Sequence, residues 1–169
     1  SKPSLNKMPK KIKLFIIHFQ PLKLYPPVMN MIDFLSKDKN IDLVIVSNRK
    51  EQGNSLAEYK NEEVKIFRPA SIDNKGFRQY FNYVKFYVSS LYYLLKHKPD
   101  TVVYIETLSS LPAIIYKRLY AKKVKLMVHY HEYTEPKLYE EGMLLSKWMH
   151  RFEKKNYHKY SWISHTNKE

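Results

Sequence analysis

Cysteine is absent from this sequence, and glycine occurs only three times, at Gly53, Gly76 and Gly142. The first absence removes disulfides, thiolate metal sites and cysteine nucleophiles together, and it accords with a reducing cytoplasm. The second removes phosphate loops that depend on glycine. A dinucleotide site needs a glycine-rich turn where the first strand meets its helix, and a Walker loop needs two glycines in one short motif. Here that turn reads HFQPLKLYPP. A G-x-S-x-G nucleophile elbow is missing too, which excludes that class of hydrolase. No apolar run reaches the roughly 18 residues of a membrane-spanning helix. The basic start, SKPSLNKMPKK, leads into a short apolar segment holding Lys13 and His18, with no small-residue cleavage site after it. A signal peptide is therefore not expected. Arginine is scarce, at five of the thirty basic residues, although the net charge is +14. Planar recognition of phosphate and guanine favours arginine, so nucleic acid is not the expected partner. An anionic membrane surface or a phosphorylated substrate would meet the same charge.

What is present suits one globular domain. The chain has 169 residues, 44% hydrophobic and 27% charged, long and apolar enough to bury a core. Residues 1–10 read as a basic tail and 11–169 as the domain. IKLFIIHF at 12–19, IDLVIVSN at 41–48, VKIFRP from Val64, TVVYIE at 101–106, VKLMVHY at 124–130 and the closing SWISH read as strands. Between them lie helical stretches: one opened by Pro26 and Pro27, a long one at 77–98 ended by Pro99, SLPAIIYKRLYAKK, and one at 144–158. Such alternation predicts an α/β fold, a Rossmann-like open parallel sheet with helices on both faces, in the strand order 3-2-1-4-5.

In the long helix, spacing turns Tyr80, Phe81, Val84, Tyr87, Val88, Leu91, Leu94 and Leu95 inward. That leaves Tyr83, Phe86 and Tyr93 beside Arg78, Lys85 and Lys96 on an outer aromatic and basic face. The last helix turns Leu145, Trp148, Met149 and Phe152 inward and Lys147, His150, Arg151, Lys154, Lys155 and Lys159 outward. Lys147, Arg151, Lys154 and Lys155 are candidates for a membrane or anion surface, and a solvated face carries the same pattern.

In the predicted order, ligands bind where strands 1 and 4 diverge, at their carboxyl ends. Three segments should converge there: His18-Phe19-Gln20, Glu106-Thr107-Leu108-Ser109, and His129-Tyr130-His131-Glu132. The last belongs to VHYHEYTEP, residues 128–136. Its histidines, two apart on a strand, could join Glu132 or His18 around zinc, though no third ligand is defined. His131 or Glu132 could do acid/base work. The same groups could instead satisfy backbone donors in a loop.

ETLSSLPAIIYKRL (106–119), VHYHEYTEP (128–136) and WMHRFEKKNYHKYSWISHTNKE (148–169) together resemble the N-terminal domain of a family 4-type glycosyltransferase, one half of the two-domain GT-B architecture. ETLSSLPAIIYKRL resembles the family's strand end leading into a Leu-Pro-Ala helix. VHYHEYTEP resembles its His-Glu-aromatic strand end, and WMHRFEKKNYHKYSWISHTNKE its helix with an internal glutamate, here Glu153. The resemblance covers nearly the whole chain from Lys11. Where the family often has a glycine-rich turn, this chain has Phe19-Gln20-Pro21-Leu22.

The resemblance implies transfer of a sugar from a nucleotide-sugar to an acceptor, of the hexosyl type and with retained configuration. The nucleotide is held by a C-terminal domain outside this sequence, supplied in cis or by a partner half in trans, and the fragment alone should be inactive. It implies His131 against the sugar and Glu132 orienting it, with His18, Gln20, Glu106, Thr107, Ser109 and His129 around the acceptor. No metal and no cofactor is expected. Lipid-linked or surface-polysaccharide precursors are the expected acceptors, met in the cytoplasm at the inner face of the membrane. The rival class is a non-catalytic module that captures an anionic partner.

Overall fold

An apolar run buried from Phe15 onward puts β1 (Ile12–His18) at the centre of the molecule. The computed structural model describes residues 10–50, 58–72, 76–131 and 144–165. After β1 come α1 (Pro26–Ser36), β2 (Ile41–Ser47), β3 (Lys65–Phe67), α2 (Phe77–His97) and β4 (Thr101–Ile105). Then follow α3 (Ser110–Leu119), β5 (Lys125–Tyr130), α4 (Leu144–Asn156) and β6 (Trp162–His165). The six strands form one sheet in the order β3-β2-β1-β4-β5-β6, with every pairing parallel. The predicted order is met, and β6 extends it beyond β5.

Local chemistry explains the helix ends. Pro26 and Pro27 open α1, where the fixed φ of proline suits the first turn and the missing N–H costs nothing. Lys98 closes α2 in the left-handed conformation, φ 47°, and its N–H bonds the Leu94 carbonyl at 2.9 Å. Pro99 then prevents the helix from continuing.

The sheet divides the core in two. Ile16, Leu43 and Ile45 pack on Val28 and Ile32 of α1. On the other face Phe15, Ile17, Val44, Tyr104, Leu126 and Val128 meet α2, α3 and α4. Among the described residues, helices thus cover both faces, one on the first and three on the second.

The expected orientation of α2 is overturned. Tyr83, Phe86, Ser90 and Leu94 are its buried residues, whereas Tyr80, Phe81, Val84, Val88 and Leu95 are exposed. Of the expected inward set only Leu94 is buried, with Tyr87 and Leu91 half-buried. Aromatic partners on the sheet explain the rotation. Phe19 stacks on Tyr83 at 4.8 Å between ring centroids and meets Phe86 edge-on at 5.0 Å, and Phe67 stacks on Tyr93 at 3.9 Å. Those contacts anchor one side of a helix that is apolar nearly all round, so its spacing alone did not choose the side.

In α4, Met149 is buried and Leu145 and Phe152 pack against the core, but Trp148 is 53% exposed. Glu153 and Asn156 are the unexpected buried residues. The Glu153 carboxylate accepts the hydroxyls of Tyr104 at 2.5 Å and Tyr130 at 2.7 Å, tying α4 to β4 and β5. A carboxylate is tolerated inside a core when such donors satisfy it. Arg151, Lys154 and Lys155 are exposed as expected, while Lys147 is half-buried.

Candidate functional site

The carboxyl ends of β1 and β4 open a crevice of about 240 Å³, lined among others by His18, Gln20, Tyr25, Glu106, Thr107 and His131. Ser109 also borders it, and so does Ser146 of α4. Complete small-molecule sites usually enclose roughly 300–1,000 Å³. This crevice has the size of a part of one.

Its walls are held by backbone bonds that the sequence makes possible. Buried Asn48, just past β2, donates its side-chain amide to the Phe19 carbonyl at 2.8 Å. The Phe19 N–H donates to Ser109 Oγ at 2.8 Å. The Tyr87 hydroxyl of α2 reaches the Leu108 carbonyl at 3.0 Å. Three strand ends and a helix are thereby locked around the turn that follows β4.

Glu106 sits at that turn with φ 63° and ψ 158°, a region of backbone space that essentially only glycine occupies freely. Its N–H donates to the His129 carbonyl at 3.1 Å, and its carboxylate accepts the His131 N–H at 2.5 Å. The strained residue therefore clamps the exit of β5 from both ends.

His18 is 1% exposed. Its Nδ1 lies 2.8 Å from the Gln20 carbonyl, which can only accept, so Nδ1 carries the proton and Nε2 presents a lone pair. That Nε2 is buried without a hydrogen-bond partner. Burial first, and then the nearby His131, bring the His18 pKa down to about 3, so the ring is neutral near pH 7. Tyr25 stacks on His131 at 5.8 Å and meets His18 edge-on at 4.7 Å, closing the side of the crevice nearest α1.

His18, Gln20, Glu106, Thr107, Ser109 and His131 thus converge as the sequence suggested. His129 does not border the crevice: its ring meets that of His131 at 4.7 Å, and its Nδ1 lies 3.1 Å from Ser164 Oγ of β6. Burial holds its pKa below the ordinary histidine value, with His165 adding to the effect. Glu132 lies outside the described residues. Lys147, Arg151, Lys154 and Lys155 belong to α4 and none borders the crevice. Among the described residues, no three His, Asp or Glu side chains could together hold a metal ion. Sequence reasoning missed Tyr25, and its place just before Pro26-Pro27 was the available signal.

Chemically the crevice offers a neutral imidazole acceptor, a clamped carboxylate and several hydroxyls. Among its described residues there is no lysine or arginine. Such a surface recognises hydroxyl groups and leaves phosphate charge uncompensated.

Solved structures share the architecture. A sucrose-phosphate synthase from Thermosynechococcus elongatus matches with a TM-score of 0.53 over 84% of this chain and 40% of its own, at 8% identity. The likeness is one of fold, an open parallel sheet of the Rossmann-like kind with helices on both faces. Phytolacca americana UGT2, complexed with UDP-2fluoro-glucose and pterostilbene, matches with a TM-score of 0.51 over 80% of this chain and 36% of its own, at 12% identity. The chain spans about 40% of the length of the first of these neighbours and 36% of the second. No protein-family model and no curated protein matches the sequence.

Proposed function

We propose that this domain is the N-terminal, acceptor-binding half of a family 4-type glycosyltransferase. Its crevice receives a sugar acceptor, and a C-terminal domain in cis, or a partner half in trans, brings the nucleotide-sugar. The observation that carries this reading is the buried, unpartnered Nε2 of His18 in a crevice whose described lining has no lysine or arginine. A site of that kind pairs with hydroxyl donors and leaves diphosphate recognition to another lobe.

In this reading His131 faces the transferred sugar and Glu132 orients it. Both position the reacting groups and stabilise charge, with no covalent intermediate, and configuration is retained. Glu106 holds the His131 backbone in place and His18 accepts an acceptor hydroxyl. The acceptor is a lipid-linked or surface-polysaccharide precursor, met at the inner face of the membrane.

The test uses the complete enzyme, assayed with nucleotide-sugars. His131→Ala should lower transfer by about a hundredfold, the scale of a misplaced reactant, while nucleotide binding by calorimetry stays unchanged. Transfer at the parental rate removes His131 from the mechanism. A full reading frame with no nucleotide-sugar lobe, and no partner supplying one, removes the transferase reading.

A further inference from the structure

The rotation of α2 leaves an apolar stripe with nothing over it among the described residues. Phe77, Phe81, Val84 and Val88 are between 58 and 86% exposed, and half-buried Leu91 and exposed Leu95 continue the line in steps of three and four. Tyr80 and Tyr92 widen it, at 66 and 57% exposed. At about 100° per residue, Arg78, Lys85 and Lys96 fall together along one edge of the stripe. The Lys96 ammonium lies over the Tyr92 ring, 5.9 Å from its centroid. α2 contains no acidic residue.

At its foot the stripe runs into an open recess at the base of the sheet, where Leu95 and Tyr120 meet Lys98, Lys123 and Lys125. Asp100, the one carboxylate among the described residues of that recess, lies 3.9 Å from Lys10. At its head α2 begins beside Gly76, on the crevice side of the sheet.

We propose that α2 is a docking surface for an anionic phospholipid bilayer. Aromatic and aliphatic side chains enter the headgroup boundary, and the basic edge and lysine recess meet lipid phosphates. A second copy of the chain fits less well. A helix of this length presents a stripe about 31 Å long and roughly 10 Å wide, well short of the ~800 Å² per partner of a stable protein interface. An antiparallel two-fold pair would also bring both basic edges to the same side. A bilayer needs no matching surface, and each inserted side chain contributes independently. The proposal deepens the reading of a membrane-held acceptor, because docking along α2 sets the crevice beside the headgroups. It is read without any transfer step, so its failure and that of the transferase reading are separate results.

The experiment is vesicle flotation of the chain with phosphatidylglycerol-containing vesicles and with pure phosphatidylcholine. Flotation with the first and not the second is expected. The double variant Phe81→Ser, Val88→Ser should weaken binding at least about tenfold. Lys85→Glu with Lys96→Glu should abolish the preference for the anionic lipid, and far-ultraviolet spectra of both variants should match the parent. The proposal is overturned by a parent chain that floats with neither vesicle or by equal flotation of parent and variants. It is equally overturned by a dimer in sedimentation velocity that the serine variant dissolves.

Discussion

The carboxylate of Glu106 accepts the backbone N–H of His131 at 2.5 Å, while Glu106 itself stands at φ 63°. Clamp and strain reside in one residue, and substitution can separate them. Glu106→Ala keeps the strain and loses the bond to a charged acceptor, costing about 1.5–3 kcal/mol. Glu106→Gly loses the same bond but relieves about 1–3 kcal/mol of strain. In urea unfolding the glycine variant should be the more stable of the two, and the reverse order would show that the turn is unstrained.

His18 sets a pH dependence whose sign follows from its burial. Its pKa falls from 6.5 to about 3 on folding, so the unfolded chain binds more protons between those values. Stability contributed by neutral His18 is complete above pH 6.5 and is lost as pH falls toward 3. The slope from this one group reaches at most about 1.4 kcal/mol per pH unit. His18→Asn, whose amide can still donate to the Gln20 carbonyl, should flatten the dependence. What remains belongs to other groups, including His129 and His97, both also lowered chiefly by burial. Urea midpoints between pH 4 and 7 check this (a range of about three units), and parallel curves for parent and variant would contradict it.

Two phenylalanines five residues apart in α2 test its rotation. Phe86 is fully buried and Phe81 is 64% exposed. Phe86→Ala should cost about 3–5 kcal/mol, the range for an aromatic removed from a core. Phe81→Ala should stay within about 0.5 kcal/mol of the parent. The reverse order, with Phe81→Ala the more costly, would mean that the helix packs as its spacing first suggested.

Glu153 is fully buried and receives two tyrosine hydroxyls. Burial, reinforced by the Glu153 charge, raises the pKa of both Tyr104 and Tyr130, which keeps them protonated as donors. Glu153→Ala removes the charged acceptor of both hydroxyls, which keep Tyr160 (2.6 Å) and Tyr157 (3.1 Å) as their other partners, and the lost charge-assisted bonds should cost about 1.5–3 kcal/mol each. Hydrogen exchange should report the loss first in α4, and unchanged protection there would remove the network as its anchor.

The sheet was legible because its strands are near-continuous apolar runs, such as Phe15 to Ile17, which only a centre covered on both sides accommodates. The crevice was legible for the same reason: parallel order places Gln20, Glu106 and His131 at one end. The side of α2 was not, because its partners Phe19 and Phe67 come from distant segments and its outer side is also apolar. Tyr25, and the buried contacts of Glu153 though not the residue itself, escaped for a related reason. Their roles depend on groups far along the chain: His131 for the first, Tyr104 and Tyr130 for the second.

β1 pairs on one side with β2, its next strand, and on the other with β4, which lies across α2 in the chain. During synthesis, therefore, the central strand waits half-paired until Thr101–Ile105 has left the ribosome. Until then its free edge, and the apolar groups beside it, stand open to association with other nascent chains.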